Sequence, residues 1–401
     1  MYKFGIENCL KNTLMAFISL TLYSTPSVAA TQHSEKEVIH QIDAFVKQEV
    51  QKRKIPGCAI AIIQQGKVAF LKGYGHRNIQ QAQALITPDT VFQLGSVSKP
   101  IAATLAMRLE KEGLLKIQDP INQYMDFSPK FPKQRKACKA AYYHPMRLRH
   151  ALSHTTGIGR AGFNQLIEQL QPWPKIKSAL ENTPNKKSLG HSYEYNNASY
   201  ELVGKAISLA AHHSFQNTLQ IYLTRPLGMT HTTASLAGLL QYPNRAYPHV
   251  RGKKGGLIPV SQYSQGYYTV PAAGGINSTA RDMATFIQAQ LGECPEFLPR
   301  SMLARLHHPE VSTPDVLGWY SKDRDCVKSA HYGLGWRILN FRHHKLVFHG
   351  GWLKGFTNFV GFIPDQGLGI VVLHNSENKF ASRLGMKFFD LSLGASKTKN
   401  W

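Results

Sequence analysis

Acidic residues are what this chain has least of: 24 Asp and Glu stand against 47 Lys and Arg in 401 residues, a formal net charge of +23. That balance makes the surface strongly basic and polyanions its natural electrostatic partners. Cysteine is scarce, with five in all, and no spacing suggests a metal site; nothing in the chain implies an organic cofactor either. Long apolar runs are missing as well. The stretch Leu14 to Tyr23 is too short to span a bilayer, and no later segment is long and apolar enough. The chain also lacks internal repeats and low-complexity tracts, which leaves an ordinary globular protein. Its length suffices for a large core and two or three domain-sized units, or for one composite domain.

What is present begins with a leader. Lys3 and Lys11 precede the apolar run, and Ser27-Val28-Ala29 or Val28-Ala29-Ala30 offers small residues for cleavage. This plan predicts a signal peptide over residues 1–30 and an exported protein, periplasmic or secreted, with no transmembrane segment after cleavage. Cys9 lies before the apolar run, so it is not a lipid-attachment cysteine at the cleavage site. Cleavage leaves Cys58, Cys138, Cys294 and Cys326. Cys58 falls in the apolar run Gly57 to Ile63 and is expected to be a buried thiol. Cys294 and Cys326 flank a loop-rich region and are expected to pair in an oxidising compartment. The segment Lys130 to His150 carries Lys130, Lys133, Arg135, Lys136, Lys139, Arg147 and Arg149 with no acid. Export and the lack of any nucleic-acid module argue against a nucleic-acid partner. The basic surface is read instead as a solvated face that attracts anionic envelope polymers.

In chain order, Val38, Ile39, Ile42, Phe45, Val46 and Val50 mark an amphipathic helix. Cys58–Ile63 and Val68–Lys72 read as strands joined at Gln65-Gly66 into a hairpin. Ile101, Leu105 and Leu109 recur at helical spacing after Ser96, and Gly113 stands where a C-terminal cap is expected. Residues from about 115 to 300 read as helices broken by loops, with helices near Arg147–Ser153, at Tyr200–His212 and at Arg281–Leu291, the last capped by Ser278 or Thr279. Then Leu334–Asn340, Lys345–His349, Phe356–Ile363 and Leu368–His374 read as strands, followed by a helix from about Lys379 to Leu391. The fold class that follows is α+β: an antiparallel sheet built from both chain ends and flanked by terminal helices, beside a mostly α lobe. The mature domain spans 31–401, with the α/β lobe drawn from about 34–95 and 325–393 and the helical lobe from about 96–324.

Three constellations carry chemistry. In Ser96-Val97-Ser98-Lys99, a serine and a lysine one helical turn apart share a face, so a desolvated amine can take the hydroxyl proton. Tyr195-Asn196-Asn197, ahead of a helix, presents a phenol that relays protons and an amide that binds a carbonyl. His349-Gly350-Gly351-Trp352, at the end of a strand, lets backbone approach a ligand and places an amide where an oxyanion develops.

In this order the three motifs resemble the class C β-lactamase and serine penicillin-recognising hydrolase family. Leu152-Ser153-His154-Thr155-Thr156-Gly157 and Tyr332-Gly333-Leu334-Gly335-Trp336 resemble further family segments, and the likeness covers roughly residues 36 to 392. The resemblance implies a β-lactamase/DD-peptidase-like fold with the active site between the lobes. It implies that Ser96 is the acylated nucleophile, Lys99 its proton partner and Tyr195 the general base and acid. Asn197 would bind the substrate amide and orient Lys99, His349, Gly350 and Gly351 would line the substrate strand, and the amides of Ser96 and Trp352 would form the oxyanion hole. His349 stands where family β-lactamases carry a lysine, so a fixed charge is lost and an imidazole titrating near pH ~6.5 takes its place. The expected activity is hydrolysis of a small-molecule, peptide or ester substrate, with esterase, amidase or D-amino-acid peptidase ahead of β-lactamase. A binder that acylates without turnover is the rival from another class, and a basic scaffold the third.

Overall fold

Gln65 and Gly66 both adopt positive φ, closing a hairpin between β1 (Gly57–Gln64) and β2 (Lys67–Gly75). In the computed structural model this hairpin is one edge of an eight-stranded antiparallel sheet. The structure describes residues 34–52, 54–129, 145–159, 162–183, 187–315 and 326–394. The leader, Cys138 and residues 130–144 of the basic segment lie outside the described residues.

Two short pairs come next in the chain: β3 (Phe92–Gln93) with β6 (Asn277–Ser278), and β4 (His249–Arg251) with β5 (Leu257–Pro259). The main sheet resumes with β7 (Val311–Ser312), β8 (Val327–Tyr332), β9 (Arg337–Phe341), β10 (His344–Leu353), β11 (Phe356–Ile363) and β12 (Leu368–His374). Its order is β2-β1-β12-β11-β10-β9-β8-β7, so the N-terminal hairpin joins the C-terminal strands through β1 and β12.

Both faces of this sheet are covered, which explains why its central strands are continuously apolar rather than alternating. On β1, Cys58, Ile60 and Ile62 join a core with Val38, Ile42 and Val46 of the first helix (Glu35–Gln51) and Leu384 and Phe388 of the last (Phe380–Ser392). Ala59, Ala61 and Ile63 face the opposite core, with Phe92, Ile101 and Phe286 of the helical region. The terminal helices meet each other through stacked Phe45 and Phe380 rings, 6.3 Å apart. The architecture is the expected α+β one.

Three details differ from the expectations. The strand anticipated from Leu334 starts at Arg337, because Gly333 donates its N–H to the Trp336 carbonyl at 2.8 Å and turns the chain. Strand β8 went unread, since its buried Val327, Ala330 and Tyr332 are unevenly spaced around the less buried Lys328, Ser329 and His331 and show no regular alternation. The Cys294–Cys326 disulfide does not form. Cys294 packs against the helical core and Cys326 belongs to the core on the other face of the sheet, so a sheet separates the two thiols. Cys58 is a buried thiol, as expected. Thr279, rather than Ser278, caps the helix Ala280–Leu291, accepting from the Asp282 N–H at 3.1 Å.

Candidate active site

Strand β3 delivers the chain into a tight 3₁₀ turn, Gly95–Val97, which runs directly into the helix Ser98–Lys111. Ser96 therefore sits in that turn, two residues ahead of the helix and partly exposed, instead of on its first turn. Two close approaches fix that turn. Gly95 has φ +58°, and a Cβ there would lie 2.9 Å from the Trp352 carbonyl oxygen. A Cβ on Gly351 would stand 2.0 Å from the Leu94 carbonyl oxygen. Only backbone fits between β10 and the nucleophile turn, so the Trp352 amide is held beside Ser96. Asn358 on β11 locks the same junction, its Nδ2 donating to the carbonyls of Gln93 and Leu94 at 2.9 and 3.1 Å.

The helix is buried on nearly every side, and Lys99 is 0% exposed. Its amine lies 2.6 Å from Asn197 Oδ1, 2.7 Å from the Ala273 carbonyl oxygen and 3.3 Å from Ser96 Oγ. The carbonyl can only accept. Asn197 turns its oxygen to the amine because its Nδ2 donates to Asn164 Oδ1 at 3.0 Å. Burial, reinforced by the Arg337 guanidinium, lowers the Lys99 pKa well below that of an ordinary lysine. A neutral amine there spends two N–H groups on Asn197 and Ala273 and aims its lone pair at the Ser96 hydroxyl.

From the other side the Tyr195 hydroxyl donates to Ser96 Oγ at 2.8 Å. Burial drives the Tyr195 pKa above the usual phenol range, so it is a neutral donor at physiological pH. Of the two groups touching Ser96, Lys99 faces it with a nitrogen lone pair and Tyr195 with its hydroxyl proton. His154 steadies the loop that presents Tyr195: its ring lies 4.3 Å from the Tyr195 ring, and its Nδ1 accepts the Asn196 N–H at 3.2 Å.

His349 is placed close by but behaves differently from the expectation. It is 1% exposed, its Nε2 lies 3.1 Å from the Tyr332 hydroxyl, and its Nδ1 lies 2.7 Å from the Gly350 carbonyl oxygen. Burial, then the charges of Arg337 and Lys99, pushes its pKa well below the ordinary histidine value. The expected titration near pH ~6.5 is therefore corrected: the imidazole stays neutral, donating to Gly350 and accepting from Tyr332. The fixed positive charge of the cleft comes from a residue that motif reading missed. Arg337, at the start of β9, holds its guanidinium 5.6 Å from the Tyr195 ring centroid and 5.9 Å from that of Tyr332. The one signal was its position directly after Tyr332-Gly333-Leu334-Gly335-Trp336. Ala273 and Asn164 were unreadable, since one acts through its backbone and the other through an amide on the short helix Phe163–Glu168 that carries no motif.

Strand β9 pairs with β10 only as far as Phe348, opposite Arg337, so the stretch from His349 to Leu353 is not bonded to β9. Trp352, 58% exposed, stands on that stretch. Ser96, Lys99, Tyr195 and Asn197 are thus brought into one hydrogen-bonded cluster, with Gly351 and Trp352 against the nucleophile turn and His349 behind them. Among the described residues no cluster of acidic, histidine and cysteine side chains could hold a metal ion.

A family model described as Beta-lactamase matches residues 42–394. Protein flp of Staphylococcus aureus (strain MRSA252) is 26% identical over 349 residues, covering 86% of this chain, and the chain spans only 64% of that protein's length. A protein of Escherichia coli (strain K12) named Beta-lactamase is 24% identical over 397 residues, 91% of this chain and 94% of that one. Among solved structures, an octameric penicillin-binding protein homologue from Pyrococcus abyssi superposes with a TM-score of 0.77 at 24% identity, over 89% of this chain and 77% of the other. EstCE1, described as a hydrolase with promiscuous acyltransferase activity, gives 0.72 at 16% identity, over 88% and 98%. Both structures share the fold.

Proposed function

Because the chain belongs to the beta-lactamase family, we propose that it is an exported serine hydrolase of the His-Gly-Gly, class C-like type, cleaving an ester or amide through an acyl-enzyme on Ser96. The observation that carries this reading is the pair of opposed contacts on one oxygen: Lys99 Nζ at 3.3 Å and the Tyr195 hydroxyl at 2.8 Å from Ser96 Oγ. Export rests on the composition of residues 1–30.

The reaction follows from those contacts. Ser96 Oγ attacks the carbonyl carbon as its proton passes to the neutral Lys99 amine, and the C=O π pair moves onto oxygen. That oxyanion lies toward the amides of Ser96 and Trp352. Collapse breaks the bond to the leaving group, which takes the Tyr195 hydroxyl proton, and Lys99 returns its extra proton to Tyr195. Water then repeats the sequence on the acyl-enzyme and releases the acid and the serine hydroxyl. Asn197 and Ala273 hold the amine in line, and the Gly350-Gly351 stretch of β10 lies alongside the substrate.

Esterase, amidase or D-amino-acid peptidase activity is the first substrate reading. A true β-lactamase is the second, favoured by one feature: Arg337 supplies a permanent cation where His349 cannot. Attraction of anionic envelope polymers to the basic surface remains part of the proposal. The test is purified protein with a serine-directed phosphonate, followed by a short-chain aryl ester, a D-Ala-D-Ala peptide and a chromogenic cephalosporin. One label on Ser96 and multiple turnover of at least one substrate is the expected result. A label on another serine would sink the mechanism, and a single stoichiometric burst on every substrate would leave a penicillin-recognising binder instead.

A further inference from the structure

One turn beyond Asn197, on the same face of the helix Asn197–Ala210, stands a carboxylate that the reaction above does not use. Glu201 is 0% exposed. Its Oε2 accepts the Ala272 N–H at 3.0 Å, and Ala272 belongs to the turn Pro271–Gly274, whose Ala273 carbonyl receives the Lys99 amine. The two fixed acceptors of that amine, Asn197 Oδ1 and Ala273 O, therefore ride on two elements that Glu201 ties together. The cation facing Glu201 is Lys205 of its own helix, 3.6 Å from Oε1 and itself lying over the Trp173 ring; the Glu201 charge in turn acts on the Lys99 amine of the helix Ser98–Lys111. The Pro271–Gly274 turn contributes backbone amides.

A fully buried carboxylate is costly unless it is paired, and Lys205 does not fully compensate this one, since burial outweighs it. We propose that Glu201 is a positioning residue for Lys99: it clamps the Ala273 carbonyl against the helix that presents Asn197, and its charge sets how firmly the amine holds its proton. The inference rests on the proposed role of Lys99 as proton acceptor. Burial raises the Glu201 pKa to about 7, so the carboxylate changes charge near neutral pH. When ionised it favours the ammonium form of Lys99, opposing the burial and the Arg337 charge that favour the amine. When protonated it lets Lys99 shed its proton at lower pH, while Oε2 continues to accept from Ala272. Glu201 thereby acts two contacts away from the nucleophile without touching substrate.

The experiment is the rate of Ser96 labelling by an aryl fluorophosphonate from pH 5 to 10, with the site read by mass spectrometry, for the wild type, Glu201→Gln and Lys205→Met. Gln keeps an acceptor for the Ala272 N–H and loses the charge, so the acid limb of the profile should move down by at least about half a pH unit. Lys205→Met leaves Glu201 neutral to higher pH and should move the limb the same way by less. It alters a partly exposed side chain, so it serves if the Gln variant fails to fold. Superimposable profiles for the wild type and whichever variants fold would overturn the inference, even if the plateau falls, because a merely structural role lowers the rate without moving the limb. A wild type that is never labelled on Ser96 would overturn the hydrolase reading, and this inference with it.

Discussion

Ser96 Oγ lies between an amine and a phenol whose ionisation is set by burial rather than by sequence neighbours, and the first predictions belong to these residues. Ser96→Ala should abolish turnover and phosphonate labelling together. Tyr195→Phe should keep the fold and lower kcat by about 10²–10⁴-fold, the usual contribution of a group that passes a proton. A near-wild-type rate would demote Tyr195 to packing. Since the pKa of Lys99 is lowered, acylation should persist below the pH at which an ordinary lysine is protonated and be lost as pH falls through the folded-state value of that amine. Arg337 lies against the Tyr195 and Tyr332 rings, which makes it the residue to test for charge selectivity. Arg337→Gln should raise KM for carboxylate-bearing substrates by about 10–100-fold, the value of one charged hydrogen bond, and leave neutral esters nearly unchanged. Equal losses on both substrate types, measured side by side, would show that Arg337 serves only to orient Tyr195 and Tyr332.

At the scale of elements, the decisive contact joins the strand β10 to the nucleophile turn. Gly351→Ala places a methyl 2.0 Å from the Leu94 carbonyl oxygen, a clash with backbone that no side-chain rotation relieves. Overpacking of this kind costs about 1–3 kcal/mol. The melting temperature and the labelling rate of Ser96 should therefore fall together; a variant with wild-type melting and wild-type labelling would show that β10 does not hold the turn. The elements themselves were largely legible. The first helix, the β1–β2 hairpin, β11, β12 and the last helix follow from periodicity and turn residues, because each is stabilised by a pattern that lies within a dozen residues. Strand β8 escaped because its pairing with β9 and β7, rather than its own alternation, defines it. Arg337 escaped as a site residue for a related reason: its position opposite Phe348 is a property of the register.

Across the whole molecule, burial of histidine sets the response to acid. His249, His307 and His374 are buried, and burial lowers their pKa values to about 4, 3 and 3. His349 is lowered in the same sense. In each case the unfolded chain binds a proton near pH ~6.5 and the folded chain refuses it, so stability is complete above that pH and declines as pH drops below it. At pH 5 each buried imidazole should cost on the order of 1–2 kcal/mol. Glu201 works the other way, since its raised pKa makes stability fall as pH rises from the unfolded glutamate value toward about 7. With several histidines against one glutamate, the urea midpoint should drop markedly between pH 7 and pH 5. A flat midpoint across that range would show that the histidines charge without unfolding the protein.

The sequence by itself determined the fold class, the order of the terminal elements and the four polar residues that meet at the cleft. Ser96 and Lys99 lie three residues apart, and Tyr195 and Asn197 two apart where a loop enters a helix, so local chemistry already points to them. Tertiary structure decided how they act. Lys99 finds its second fixed acceptor in Ala273, 174 positions away, and Asn358 grips the Leu94 carbonyl from 264 positions away. Neither contact leaves a mark in any short stretch of chain. The same holds for charge: whether Lys99 is an amine, Tyr195 a donor and His349 neutral depends on how much water packing removes from them, and burial exists only once the sheet and the helical lobe have closed on one another.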